Sequence, residues 1–314
     1  MTDKQRQDST EGSKGKPDTT GQLFGPLAPG FGLSLGGGGV RGGYQIGVWE
    51  AMREFSIPIT GVVGSSIGSI NAAAIALDDY ETARRVWQEV NLTDIIKVTR
   101  PLPVPQDLLS WRNIPALTKM IREDHGLDTE PLRNLLDENI DEHKLRERGC
   151  PYGVSIFSLT ERKPMPLFID EIPEGQLTDY ILASCALPFF KATRIDGNRL
   201  LDGGFSDNLP TSMLTERGWK KVIEVEIHGL GRRVPVQETD VEIIRIEADN
   251  NLFGPFNLDK AARDARIKMG YTDAVSAFKK HGLIAAGVSP AHPLYDSSSG
   301  DKVSASTGDA PDKS

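Results

Sequence analysis

Apolar residues fall into short runs, and between several of those runs the apolar positions recur at helical spacing. The runs at 31–35, 57–63, 152–159, 165–169, 221–227 and 241–246 read as strands. After the first, Tyr44, Val48, Ala51 with Met52 and Phe55 keep a helical period, and the small-residue stretch 67–77 reads as a second helix. Near-continuous apolar strands alternating with helices predict an α/β fold, a mostly parallel central sheet with helices on both faces. The 314 residues would suit two domains, but parallel α/β folds of this length form single units, and one domain over 24–285 is expected. No repeat of solenoid period is visible.

The flanks break this pattern. From residue 2 to 22 the only side chain that is not polar or glycine is Pro17, and from Asp296 onward only Val303, Ala305 and Ala310 could be buried. Segments 1–23 and 286–314 are therefore expected to be largely disordered. Without an apolar leader or a window approaching 18 apolar residues, neither a signal peptide nor a spanning helix is predicted. Cys150 and Cys185 fit a reduced, cytoplasmic protein better than a disulfide scaffold. No H-E-x-x-H or C-x-x-C spacing occurs, so neither metal nor cofactor is expected.

Candidate chemistry sits where strands turn into helices. Gly64-Ser65-Ser66-Ile67-Gly68 is a G-x-S-x-G sequence between the run ending at 63 and the helix at 67–77, which places Ser66 at a sharp strand-to-helix turn. Such a turn holds a serine hydroxyl at a helix N-terminus, and the flanking glycines keep Cβ atoms out of a tight, strained corner. The first of those glycines lies 27 residues after the start of Gly37-Gly38-Gly39-Val40-Arg41-Gly42. That loop also joins a strand to a helix, and its bare N–H groups suit an oxyanion or a phosphate. The loop satisfies G-x-G-x-x-G, yet no carboxylate ends the next strand and Glu54 lies inside the first helix, against a dinucleotide site. No Lys-Ser or Lys-Thr follows, which excludes a P-loop. The oxyanion reading stands.

A serine nucleophile needs a base. Among five histidines, His228 follows the strand at 221–227, and the order Ser66, Asp202, His228 would fit a hydrolase triad. Against it stands Leu200-Leu201-Asp202-Gly203-Gly204, an aspartate at a strand end with bare backbone behind it. Taken alone, Asp-Gly-Gly is ordinary turn chemistry. Arg41 is assigned mainly to holding the glycine loop, by pairing with a carboxylate, in preference to meeting a lipid phosphate. Cys185 reads as a packed thiol.

In combination these motifs resemble the bacterial patatin-like phospholipases. The G-G-G-x-R-G loop, the G-x-S-x-G elbow and the D-G-G aspartate occur here in the order of that family. Ala183-Ser184-Cys185-Ala186-Leu187-Pro188, the stretch from Asp202 to Pro210, residues 126–136 and Gly270-Tyr271-Thr272-Asp273-Ala274 are similar as well, so the likeness covers roughly residues 30–280. The resemblance implies a serine lipid acyl hydrolase with a Ser66–Asp202 dyad and no histidine, and an oxyanion hole from Gly37, Gly38 and Gly39. Arg41, Gly42, Gly64, Gly68, Gly203 and Gly204 would support the motifs. For Asp202 to act as base, an apolar pocket must raise its pKa.

Charge then limits how substrate is met. A net charge of −8 weakens attraction to anionic membranes and to nucleic acid. Lys4, Arg6, Lys14 and Lys16 are offset by Asp3, Asp8, Glu11 and Asp18, so the N-terminal segment is no polybasic anchor. The expected partner is a lipid or other acyl ester, met by a cytoplasmic protein transiently at a membrane surface. Residues 101–121, rich in Leu and Ile with Trp111 and with prolines at 101, 103, 105 and 115, are a candidate cap or an apolar face packed on the domain.

Overall fold

The computed structural model describes residues 29–98, 123, 126–229, 231–249 and 257–288. The candidate cap lies outside them, as does almost all of both flanking segments. The strands are β1 (Phe31–Leu35), β2 (Ile59–Ser65), β3 (Tyr152–Ser158), β4 (Lys163–Phe168), β5 (Thr193–Ile195), β6 (Asn198–Asp202), β7 (Lys221–Glu226) and β8 (Glu242–Glu247). All belong to one eight-stranded sheet. In the order β3-β2-β1-β7-β8 the strands run parallel. Leu33, Leu35, Val62, Val63, Val222 and Ile223 along its centre are at most 1% exposed, which is why their sequence is continuously apolar.

The helices are α1 (Gly43–Glu54), α2 (Ile67–Leu77), α3 (Tyr80–Glu89), α4 (Glu130–Asn139), α5 (Glu142–Arg148), α6 (Leu177–Ser184), α7 (Ser212–Thr215) and α8 (Lys260–Lys280). Neighbouring residues of β2 show the two faces of the sheet. Val62 joins the larger core with Trp49, Ala72, Trp87 and Tyr271 from α1, α2, α3 and α8. Val63 joins a smaller one with Phe168, Met213, Leu214 and Trp219. The expected α/β architecture is the one observed, with the second face covered more thinly, by short α7 and the turn after it. Crossing of α1 and α8 is close: a Cβ on Gly47 would lie 1.9 Å from Ile267 O, and one on Gly270 1.9 Å from Tyr44 O. Tyr44 there donates to Asp273 Oδ2 at 2.7 Å.

The antiparallel part of the sheet places the site. β4 pairs with residues 153–158 of β3 along one edge. Its Pro164 and Pro166 lack N–H groups and are tolerated because no strand among the described residues pairs with its outer side. On the other edge of β3, β2 pairs with Tyr152 through Ser155, and β6 takes over antiparallel from Ile156 to Ser158. Ser65 therefore faces Ser155 while Asp202 faces Ile156, one position further along the same edge. The end of β2 and the end of β6 meet there.

Candidate active site

Ser66 is the residue at which β2 becomes α2. Its φ of 54° and ψ of −127° lie in a region costly for a residue with a Cβ. Two glycines make the corner possible: a Cβ on Gly64 would lie 2.2 Å from Gly68 C, and one on Gly68 2.3 Å from Leu35 O. Hydrogen bonds hold the strained residue from several sides. Ser66 N–H donates to Ser184 Oγ at 2.9 Å, and that hydroxyl donates to Ser155 O at 2.7 Å. Ser69 Oγ donates to Ser66 O at 2.6 Å. Sequence reasoning missed the part played by Ser184; its signal was present in Ala183-Ser184-Cys185, but a serine in a helix's last turn announces no partner.

The glycine loop lies against this corner. A Cβ on Gly37 would approach Ser66 Cβ to 3.1 Å and Asn208 Oδ1 to 2.6 Å. Gly37 N–H donates to Asn208 O at 3.1 Å, and Asn208 Nδ2 donates back to Gly37 O at 3.2 Å. Gly37 N–H, expected in the oxyanion hole, is thus engaged with the frame. Gly38 and Gly39 N–H have no acceptor among the described residues. Gly39, at φ 60°, opens a one-turn helix over Gly39–Gly42 that leads into α1. Among the described residues Arg41 pairs with no carboxylate; its Nη1 donates to the backbone oxygens of Ile227 and His228 at 3.2 and 2.6 Å, tying the loop to the end of β7. Gly42 O accepts from Asn71 Nδ2 at 3.0 Å.

Asp202 ends β6 and is 6% exposed. Oδ1 accepts the Gly204 N–H at 2.8 Å, while Oδ2 is buried and has no hydrogen-bond partner among the described residues. Gly203 lets the turn pass close: a Cβ there would lie 2.1 Å from Ser155 O. Burial pushes the Asp202 carboxyl up to about 6, against the lowering effect of the Ser66 hydroxyl and the Gly204 N–H. The hydroxyl thus stands near enough to affect the carboxyl, although no fully formed hydrogen bond joins them. Cys185 completes the cluster; burial and the Asp202 charge raise its thiol, while Ser69 and Ser66 oppose this by hydrogen bonding. A raised pKa fits a packed thiol, not a nucleophile.

His228 is not part of this cluster. Its Nε2 lies 2.9 Å from Ala248 O and 3.4 Å from Glu247 Oε1. An apolar cavity of about 150 Å³ is lined in part by Ser66, with Gly39, Val40 and Cys185. Among the described residues no cluster of three potential metal ligands occurs, and no helix is long and apolar enough to cross a membrane.

Fold and site define an α/β protein with a serine on a nucleophile elbow, a glycine loop beside it and a buried carboxylate facing it. The chain belongs to the patatin-like phospholipase family, whose model matches residues 33–215. It is 28% identical over 255 residues to "Lysophospholipase NTE1" of Kluyveromyces lactis, covering 79% of this chain and 16% of that protein. It is likewise 28% identical over 202 residues to "Patatin-like phospholipase domain-containing protein 7" of Rattus norvegicus, covering 62% of this chain and 13% of that one. The chain thus spans about a sixth or less of the length of these curated relatives. They are fungal and mammalian, so they carry the family and not the narrower bacterial grouping. Among solved structures, VipD from Legionella pneumophila shares the fold, with a TM-score of 0.53, 16% identity and coverage of 81% of this chain and 68% of that one.

Proposed function

We propose that this chain is a serine lipid acyl hydrolase in which Ser66 is the nucleophile and Asp202 the base. The observation that carries the reading is the unpartnered Oδ2 of a buried carboxyl beside the Ser66 hydroxyl. An aspartate with a pKa near 6 is a far better proton acceptor than one at 3.8, yet at pH 7 it is still about nine-tenths ionised. As Ser66 Oγ attacks the ester carbonyl carbon, its proton passes to Asp202 Oδ2 and the carbonyl π pair moves onto oxygen. The N–H groups of Gly38 and Gly39 meet that oxyanion; a single strong donor of this kind contributes about 3 to 4 kcal/mol. Collapse breaks the ester C–O bond, and Asp202 returns the proton to the leaving alcohol. Water then attacks the acyl-enzyme and loses a proton to Asp202; the second collapse re-forms the carbonyl and breaks the bond between the acyl carbon and Ser66 Oγ, to which Asp202 returns the proton, freeing the carboxylic acid and restoring Ser66.

Lipid, as opposed to a soluble ester, is supported by the apolar cavity at Ser66 and by relatives named lysophospholipases. With no spanning helix among the described residues, substrate would be met at a membrane surface by peripheral contact. A fluorophosphonate probe should label the protein at Ser66 and fail to label Ser66→Ala; labelling that persists in the variant contradicts the assignment. With p-nitrophenyl butyrate, kcat/KM should fall about tenfold per pH unit below pH 6 as Asp202 takes up its proton. A profile flat from pH 8 to 4.5 contradicts Asp202 as base.

A further inference from the structure

β6 serves two sides of the sheet. Leu200 and Asp202 point with Ile156 toward the larger core, and by alternation Arg199 and Leu201 point the other way. On that second face Leu201 stands opposite Phe157 of β3, and the Phe205 ring leans on Phe157 with centroids 5.4 Å apart. Leu159 continues the row, its N–H donating to Arg199 O at 2.9 Å. None of these four apolar residues belongs to a buried core, since α7 and Trp219 cover this face only around Val63. Phe205, at 56%, is the most exposed of the large apolar residues described.

Two arginines border this apolar row. Arg194 of β5 and Arg199 of β6 are direct cross-strand partners, both exposed, and like charges so placed repel. Among the described residues neither guanidinium is joined to a carboxylate. The acids of the adjoining turns are engaged elsewhere: Glu161 pairs with Lys163 at 2.6 Å, and Asp196 lies near Tyr180 of α6, whose pKa is raised by burial and then by that charge. A guard against pairing at the sheet edge needs charge on β5 alone, whereas Arg199 lies on β6, which already has β3 and β5 on its two sides. The face also stands at the site's end of the sheet. Ser65 at the elbow is level with Ser155, and Phe157 and Leu159 lie farther along β3, about 7 and 13 Å past it.

We propose that this face docks the protein on an anionic phospholipid bilayer, with Arg194 and Arg199 meeting the lipid head groups and Phe205 and Leu159 entering the acyl boundary. The choice of a bilayer as occupant rests on the lipid hydrolase reading. The net charge of −8 does not oppose it, because salt screens charges more than about 8 Å apart and the sign of the contacting face then decides.

The test is cosedimentation of the Ser66→Ala protein, which cannot turn lipid over by the proposed route, with vesicles of phosphatidylcholine alone or with about 30% phosphatidylserine. Partitioning should be at least tenfold stronger onto the anionic vesicles and should weaken as salt is added. Arg194→Gln with Arg199→Gln should lower it about twentyfold, at about fivefold for each arginine, and Phe205→Ser alone at least threefold. Binding that ignores lipid charge, or that neither change weakens, overturns the proposal. So does a dimer, seen by light scattering, that the arginine changes dissolve while vesicle binding is absent; the face would then belong to a second copy of the chain. With Ser66 intact, the arginine changes should leave hydrolysis of p-nitrophenyl butyrate within about twofold, which also shows that the variant is folded. Charge-dependent binding without Ser66-dependent hydrolysis contradicts only the catalytic assignment. Ser66-dependent hydrolysis with charge-independent binding contradicts only the docking face.

Discussion

Asp202 shows what burial costs a carboxylate. Burial raises its carboxyl from 3.8 to about 6, which corresponds to about 3 kcal/mol against the ionised form. A group whose pKa rises on folding adds stability below its unfolded value and loses it as pH climbs through the folded one. The wild type should therefore give up stability between about pH 4 and pH 6. Asp202→Asn is neutral throughout and escapes that loss. Its melting temperature should exceed that of the wild type at pH 8, by an amount that shrinks toward zero near pH 4; an advantage that stays constant or grows on acidification contradicts this. Of the residue-scale features, Ser66 and Asp202 were visible because each sits in a glycine-framed motif at a strand end. The commitment of Gly37 N–H to Asn208 O was not visible, since consecutive glycines look alike until the chain 171 residues away is brought beside them.

At the scale of elements, the elbow works because β2, the corner at Ser66 and α2 are packed to backbone contact. Gly68 presses on Leu35 O in β1, so any side chain there must push the helix off the sheet. Gly68→Ala should destabilise the protein by about 1 to 3 kcal/mol, the usual cost of overpacking, and lower kcat by moving Ser66 relative to Asp202. Denaturant unfolding and ester kinetics on the same preparation check both, and an unshifted midpoint with full kcat contradicts the account. Most strands were readable from their apolar runs, to within two residues at their starts. β5 was not: three residues with an arginine at the centre carry no period. Glu224 lies in the middle of β7 at 1% exposure, and only folding brings Thr211, Arg233 and Arg245 around its carboxylate.

For the molecule as a whole, the decisive feature is that two strands share one edge of β3. A parallel strand, β2, ends where an antiparallel strand, β6, begins to pair, and each delivers one side chain of the proposed dyad to the junction. The apolar patterning predicted the parallel sheet, but not this junction, because pairing partners are chosen by topology and not by local period. It also predicted helices on both faces without showing how unequal the two layers are. The triad alternative gains no support at this same scale: the end of β7 carries His228 toward β8, where its imidazole meets Ala248 and Glu247.

The claim on which the account turns is that the proton of Ser66 goes to Asp202 and not to a histidine. It is tested by kcat/KM on p-nitrophenyl butyrate for the wild type, Asp202→Asn and His228→Asn, asparagine being tolerated at the positive φ of 51° that residue 228 adopts. A loss of about a thousandfold or more is predicted for Asp202→Asn, with His228→Asn within about threefold of wild type. An Asp202→Asn enzyme that keeps most of its activity, or a His228→Asn enzyme that loses it while remaining folded, would contradict the dyad.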